Sequence, residues 1–266
     1  MPLLRELPGW LEPDEVDRPI VTYGVPVPTA GHLELTFHSR VKGQLLFSQR
    51  GALSCEAEGG LWIVPPQSAI WIPGGKARAL RAKGMLEGYT VFVHPAAGAN
   101  LPAQCCALAV TPLLREMIIR AASFPVDYPD GGREERLVAL LLDEISVARV
   151  ERLHLPMPND IRLRAIVAEM LDNPAKMRKM SDWARHIGMS ERTMARILSR
   201  ETGMGFRRWR QQLAVLLAVE WLARGSPIQQ VAADLGYESA PSFVTMFRKA
   251  LGTPPRRYMS RRSQRH

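Results

Sequence analysis

Between His32 and His94 the chain alternates on a short period. His32-Leu33-Glu34-Leu35-Thr36-Phe37 sets polar against apolar residues at each step, the pattern of a strand with one buried face. Gln44-Leu45-Leu46-Phe47 and Leu61-Trp62-Ile63-Val64 are short apolar runs flanked by turn residues, and Tyr89-Thr90-Val91-Phe92-Val93 reads as a further strand. Gly59-Gly60 marks a hairpin, while Pro65-Pro66 and Pro73-Gly74-Gly75 interrupt the next run. Many short strands at close spacing predict a small β-barrel or sandwich.

After Thr111 the period lengthens to that of a helix. The segment from Arg133 to Leu153 places Leu137, Leu140, Leu141, Ile145 and Ala148 along one stripe. That stripe can pack within its own chain or pair with a second subunit, and the pattern leaves both open. His154 to Asp160, with Pro156 and Pro158, reads as a linker. Everything beyond it reads as helix with short turns. The expectation is a two-domain α+β protein, divided at 1–155 and 156–266.

Charge sharpens this division. Of 35 Lys and Arg and 26 Asp and Glu, 20 and 9 lie from Pro156 onward, so the whole positive excess sits in the helical part. Such asymmetry points to a polyanion-binding module joined to a neutral one, with a merely soluble basic domain as the plain alternative. The opening residues lack the basic start and apolar run of a signal peptide, and no stretch nears the roughly 20 apolar residues of a membrane span. Cys55, Cys105 and Cys106 are odd in number and two are adjacent, which is no disulfide framework. A cytoplasmic protein without membrane partners is expected.

The helical part contains a repeat. Asp182 to Trp209 aligns with Gln229 to Tyr258: Ala184 with Ala232, Gly188 with Gly236, Met194 with Phe243, Leu198 with Phe247, Gly203 with Gly252, and Arg207-Arg208-Trp209 with Arg256-Arg257-Tyr258. Each copy has the parts of a helix-turn-helix: a short helix with a small alanine, a turn glycine, a serine (Ser190, Ser239) at the N-cap position, and an i,i+4 apolar pair on the second helix. Helical hairpins without a DNA role would share these parts; their duplication within a strongly basic segment favours DNA. A long helix from Phe206 to Arg224 joins the copies. It spans roughly 27 Å, near the roughly 34 Å between major-groove openings on one face of DNA.

The second copy, IQQVAADLGYESAPSFVTMFRKALGTPPRRY, and the first, MSERTMARILSRETGMGFRRWRQQL, closely resemble the AraC/XylS family of bacterial transcription regulators. HSRVKGQLLF and WIVPPQSAIWIPGG resemble the cupin-type sensor domain of one subgroup. The resemblance implies an N-terminal cupin-like β-barrel with flanking helices and a C-terminal all-α domain with two helix-turn-helix motifs. It implies a sequence-specific regulator of transcription that binds double-stranded promoter or operator DNA under control of a small-molecule effector. RNA polymerase and a second copy of the chain are further partners it allows.

In the first recognition helix Glu191, Arg192, Ala195, Arg196 and Ser199 lie opposite the apolar pair, and by resemblance Arg192, Ala195 and Arg196 face bases. Arg192 and Arg196 suit guanine O6 and N7, or else phosphates, and Ala195 suits a thymine methyl. The second presents Ala240, Pro241, Ser242, Val244, Thr245, Arg248 and Lys249, a face poor in long polar groups and suited to methyl contacts and phosphate anchoring. Arg256 and Arg257 are further phosphate candidates or simply solvated.

Some members of the cupin subgroup carry two histidines around the first motif and another after IPxG. His38 remains here, but Arg40 and Arg78 take the other places, which argues against a His-rich metal site; no cofactor is expected. His38 then reads as a hydrogen-bonded structural residue. Arg40 and Arg78, with His38 and Gln44, could bind an anionic effector; the alternative is two surface arginines. An enzyme in the front half would need a ligand set that His32, His38, Glu34 and His94 do not compose, and a purely architectural DNA binder leaves the strand-rich half without a task. A regulator rather than an enzyme is the reading that remains.

Overall fold

The computed structural model describes residues 11–27, 32–83, 85–174 and 179–263. The expectation about the opening segment falls largely on residues 1–10, outside the described ones. The chain divides into two compact units, one chiefly residues 1–153 and the other chiefly 154–261.

The first unit begins with a 3₁₀ turn at Pro13–Glu15. Eight strands follow in close succession: β1 (Ile20–Val27), β2 (His32–His38), β3 (Gly43–Arg50), β4 (Leu53–Ala57), β5 (Gly60–Val64), β6 (Ser68–Ile72), β7 (Arg78–Lys83) and β8 (Leu86–Val93). After β9 (Cys106–Ala109) come α1 (Pro112–Ala121), α2 (Arg133–Ser146) and β10 (Val150–Glu151). One sheet runs β1-β8-β3-β6-β9-β10, and the first-unit strands of the other run β5-β4-β7-β2. The barrel expected from the sequence takes the form of two open antiparallel sheets; no ladder closes them among the described residues. Face-to-face packing buries the same inner side chains without closure.

The six-stranded sheet is covered on both sides, which is why its strands read as continuous apolar runs rather than alternating ones. Leu45, Phe47, Trp71, Val91 and Val93 pack against Leu114, Met117 and Ile118 of α1 and Val138, Leu141 and Ile145 of α2. Their neighbours in sequence, including Leu46 and Thr90, face Leu33, Leu35, Leu53 and Leu80 of the other sheet. The α2 stripe is therefore used within the chain. It is centred on Val138, Leu141 and Ile145, and Leu140, placed on it from the sequence, is 48 % exposed. Leu140 lies a full 100° step around the helix from Leu141.

The second unit contains β11 (His154–Pro156), α3 (Ile161–Asp172), α4 (Met180–His186), α5 (Glu191–Thr202), α6 (Phe206–Ala223), α7 (Ile228–Asp234), α8 (Ala240–Leu251) and α9 (Pro255–Ser263). The expected linker at His154 to Asp160 thus opens as a strand. Leu155 is fully buried, Met157 N donates to Gly59 O at 2.7 Å, and Trp209 Nε1 donates to Pro156 O at 2.7 Å. Prolines exclude a helix here, but they do not prevent an edge strand.

α6 is the spine of this unit. Trp209 and Leu213 to Val219 are buried along it, so most of its circumference is covered, by β11 as well as by neighbouring helices. The second repeat copy is held by an aromatic ladder, with ring centroids 5.6 Å apart for Tyr237 and Phe243, 5.8 Å for Phe243 and Phe247, and 5.5 Å for Phe247 and Tyr258. Phe247 is fully buried at its centre. Phe247→Ala should cost about 3–5 kcal/mol, read as an earlier urea transition of the helical unit followed by circular dichroism.

Candidate nucleic-acid interface and sensor residues

The two repeat copies build the same turn. Gly188 and Gly236 adopt φ 65° and 74°, the left-handed region that glycine enters without strain. The residue after each reaches back by the same hydrogen bond: Met189 N to Ala184 O at 2.8 Å, and Tyr237 N to Ala232 O at 2.9 Å. Ala184 and Ala232 are buried, so the turn folds onto a side chain small enough to admit it. Ser190 Oγ accepts from Thr193 N at 3.1 Å and Ser239 Oγ from Ser242 N at 3.4 Å, capping α5 and α8. Both helices stop at left-handed glycines, Gly203 and Gly252.

Each second helix is anchored by one side. Met194, Ile197 and Leu198 of α5 and Phe243 and Phe247 of α8 are buried. Glu191, Arg192, Arg196 and Ser199 are exposed, with Ala195 half-buried at the margin. On α8, Pro241, Ser242, Thr245, Arg248 and Lys249 are exposed and Val244 is half-buried. All eleven nominated residues therefore lie off the anchored side, and each helix brings its own set together.

The charges on this surface are not neutralised. Among the described residues, Arg192, Arg196, Arg207, Arg208, Arg248, Lys249, Arg256 and Arg257 make no ion pair, whereas Arg162, Arg185, Arg200 and Arg224 each meet a carboxylate. A concavity of about 640 Å³ separates α5 from α8, walled by Ala195, Phe206, Arg207, Arg208, Gln211 and Lys249. The sequence reading left Arg207, Arg208 and Gln211 out of the interface. Their signal was the basic start of α6, which the repeat had already aligned with Arg256-Arg257.

Comparison with known proteins agrees with this geometry. A helix-turn-helix domain model matches residues 183–261. The chain is 38% identical to the HTH-type transcriptional regulator NimR of Escherichia coli (strain K12) over 252 residues, covering 94% of this chain and 91% of that one. The chain belongs to the AraC/XylS family. This AraC/XylS regulator is also 31% identical to the HTH-type transcriptional regulator RipA of Corynebacterium glutamicum over 100 residues, 38% of this chain and 30% of that one. A crystal structure of ToxT from Vibrio cholerae covers 90% of this chain and 96% of its own at 12% identity, with a TM-score of 0.38. As a member of this family the protein is a DNA-binding transcription regulator and not an enzyme. No described helix is long and apolar enough to cross a membrane.

The first unit brings together residues that lay far apart in sequence. Arg78, fully buried, donates from Nε to Gln44 Oε1 at 2.8 Å and from Nη1 to Lys76 O at 3.0 Å. Gln44 in turn donates to Thr90 Oγ1 at 2.9 Å. Nη2 of Arg78 has no hydrogen-bond partner among the described residues. Burial, and then the like charge of Arg40, pull the Arg78 guanidinium down to about 10. Arg40 is also buried; it pairs with Glu12 and lies over the Phe92 ring, 5.4 Å from its centroid. Neither arginine is a surface residue, which corrects that alternative. The Arg40 loop is clamped from both sides: Gly75 N donates to Arg40 O at 2.7 Å, and Asp14 accepts from Val41 N and Lys42 N at 3.2 and 2.9 Å. His38 sits opposite Arg78 in the β2–β7 register, its ring nitrogen 2.9 Å from Thr36 O, and burial lowers its pKa. Among the described residues no group of three His, Cys, Asp or Glu side chains is placed to hold a metal ion.

Ser190→Ala removes the cap that orients the start of α5. It should cost about 1 kcal/mol of stability and weaken DNA binding, measured by denaturation and gel shift on the same preparation.

Proposed function

We propose that this regulator reads an operator with both recognition helices and is controlled in the cytoplasm by a small-molecule effector held in a cupin-like N-terminal domain, residues 1–155. The DNA-binding domain is residues 156–266. The observation that carries the first part is the pair of capped helices, each anchored on one side and bare on the other, beside arginines without carboxylate partners. Arg192 and Arg196 read bases, Ala195 and Val244 meet thymine methyls, and Glu191, Ser199, Pro241, Ser242 and Thr245 shape the two groove faces. Arg248, Lys249, Arg207, Arg208, Arg256 and Arg257 anchor phosphates.

Arg196→Ala should weaken operator binding by about 1–3 kcal/mol and relax the preference at one base pair, while Arg256→Ala weakens all sequences alike. Affinity for the wild-type chain should fall steeply with salt as bound counterions are released. Gel shifts over a set of single-base operator variants at two salt concentrations check this. An equal loss on every sequence would make Arg196 a phosphate contact.

The effector reading rests on Arg78. A fully buried guanidinium beside a second one, with an unpaired Nη2, favours an arriving anion, since an uncompensated buried charge is costly. His38, Arg40, Gln44 and Arg78 are the effector-binding residues in this reading, and a carboxylate is the simplest ligand. Acetate and related small carboxylates should raise the melting temperature of the wild-type chain by mass action. Arg40→Ala and Arg78→Gln should reduce that shift. Equal shifts in all three proteins would remove the arginines from the site.

A further inference from the structure

The first unit holds another cavity, on the opposite face of the six-stranded sheet from Gln44. A cleft of about 260 Å³ opens between β1 and the chain that follows α1, with Ile20, Ala122, Phe124 and Val126 among its walls. Thr22 and Tyr128 also line it. Thr22 Oγ1 and the Tyr128 hydroxyl are both buried, and neither has a hydrogen-bond partner among the described residues. Tyr128 as a whole is only 4 % exposed. A buried hydroxyl without a partner is unfavourable, and native structures hold few of them. Two on one cleft mark a place where a polar partner belongs.

The surrounding groups define that partner. The Tyr23 hydroxyl is already committed to Leu11 O and N at 3.0 and 3.1 Å. Arg18 lies over the Tyr128 ring at 4.7 Å, with Nε donating to Val126 O at 3.0 Å and Nη1 paired with Asp130 at 2.8 Å. No charged side chain is among the lining residues, and the Arg18 cation over the Tyr128 ring is already paired with Asp130, so the cleft favours an uncharged ligand. Phe124 and Tyr128 meet edge to face, 6.1 Å between centroids and 64° between planes, and present an aromatic wall. The volume equals about nine waters at roughly 30 Å³ each, which suits a single substituted ring.

We propose that this cleft binds a small uncharged aromatic molecule whose one polar edge, a hydroxyl or an amide, bonds to Thr22 and Tyr128. The site is separate from the arginine pair, and its occupation braces β1 against the segment after α1.

Calorimetry on the full chain with benzamide and phenol tests this, with benzoate as the charged counterpart. The neutral probes bind and benzoate does not. Thr22→Val and Tyr128→Phe keep the shape and remove one hydroxyl each; each weakens the better probe about tenfold. The melting temperature of the unliganded variants is unchanged or higher, since each loses an unpaired group. Ala122→Met fills the cleft and abolishes binding. Saturating acetate leaves benzamide binding unchanged, so this result is independent of whether the arginines take an anion. No heat from either neutral probe at millimolar concentration would overturn the proposal. So would unaltered binding in both hydroxyl variants, or competition by acetate.

Discussion

A helix that reads DNA has to be held firmly by one side and left bare on the other, and the tight turn before it is what makes this possible. In both repeat copies the chain reverses at a left-handed glycine and closes onto the carbonyl of a buried alanine, Ala184 or Ala232. Any larger side chain at the alanine would push the second helix away from the first. With the turn set, the serine cap falls at the start of the recognition helix. The apolar pair four residues apart then points inward, and everything opposite it faces solvent. The arginines need no positioning network of their own, because the helix that carries them is already oriented.

The strand-rich unit meets a different constraint. Its larger sheet is buried on both faces, so a polar side chain on it must find its partner inside the protein. Gln44 and Thr90 satisfy each other, and Gln44 also accepts from Arg78. Arg78 is where this accounting fails to close, with one nitrogen left over in a fully buried side chain. The Glu12 carboxylate answers the neighbouring Arg40 instead. A further imbalance lies at Thr22 of the larger sheet and at Tyr128 in the chain after α1, on the side covered by helices. Departures from complete hydrogen bonding in a well-packed core are a reasonable guide to where a ligand acts.

Much of this was legible in the sequence, for identifiable reasons. The repeat exposed the turns, caps and apolar pairs, because each depends on residue type at fixed spacing: glycine, serine, and Met194 with Leu198 or Phe243 with Phe247. β3, β5 and β8 stood out as apolar runs, whereas β4, with Ser54 and Glu56, and β7, with Arg78, Arg81 and Lys83, did not. β1 did not, since Pro26 interrupts its strand pattern, and β11 was hidden by the prolines that made it look like a linker. Leu140 was misplaced because a helix with leucine at three successive positions, 140 to 142, does not reveal where its stripe is centred. The burial of Arg78 could not be read at all. An arginine in a short strand looks solvated until tertiary structure places it, and the orphaned hydroxyls of Thr22 and Tyr128 are defined by absences that only packing creates.

The cations without carboxylate partners on this small helical unit, Arg192, Arg196, Arg207, Arg208, Arg248, Lys249, Arg256 and Arg257 among them, repel one another before any DNA arrives. That repulsion lowers the stability of the free unit, and mobile ions screen it. Salt therefore acts on this protein in two opposing directions. It loosens the grip on nucleic acid while tightening the fold that does the gripping, so conditions that best preserve the free regulator are those in which it holds DNA least.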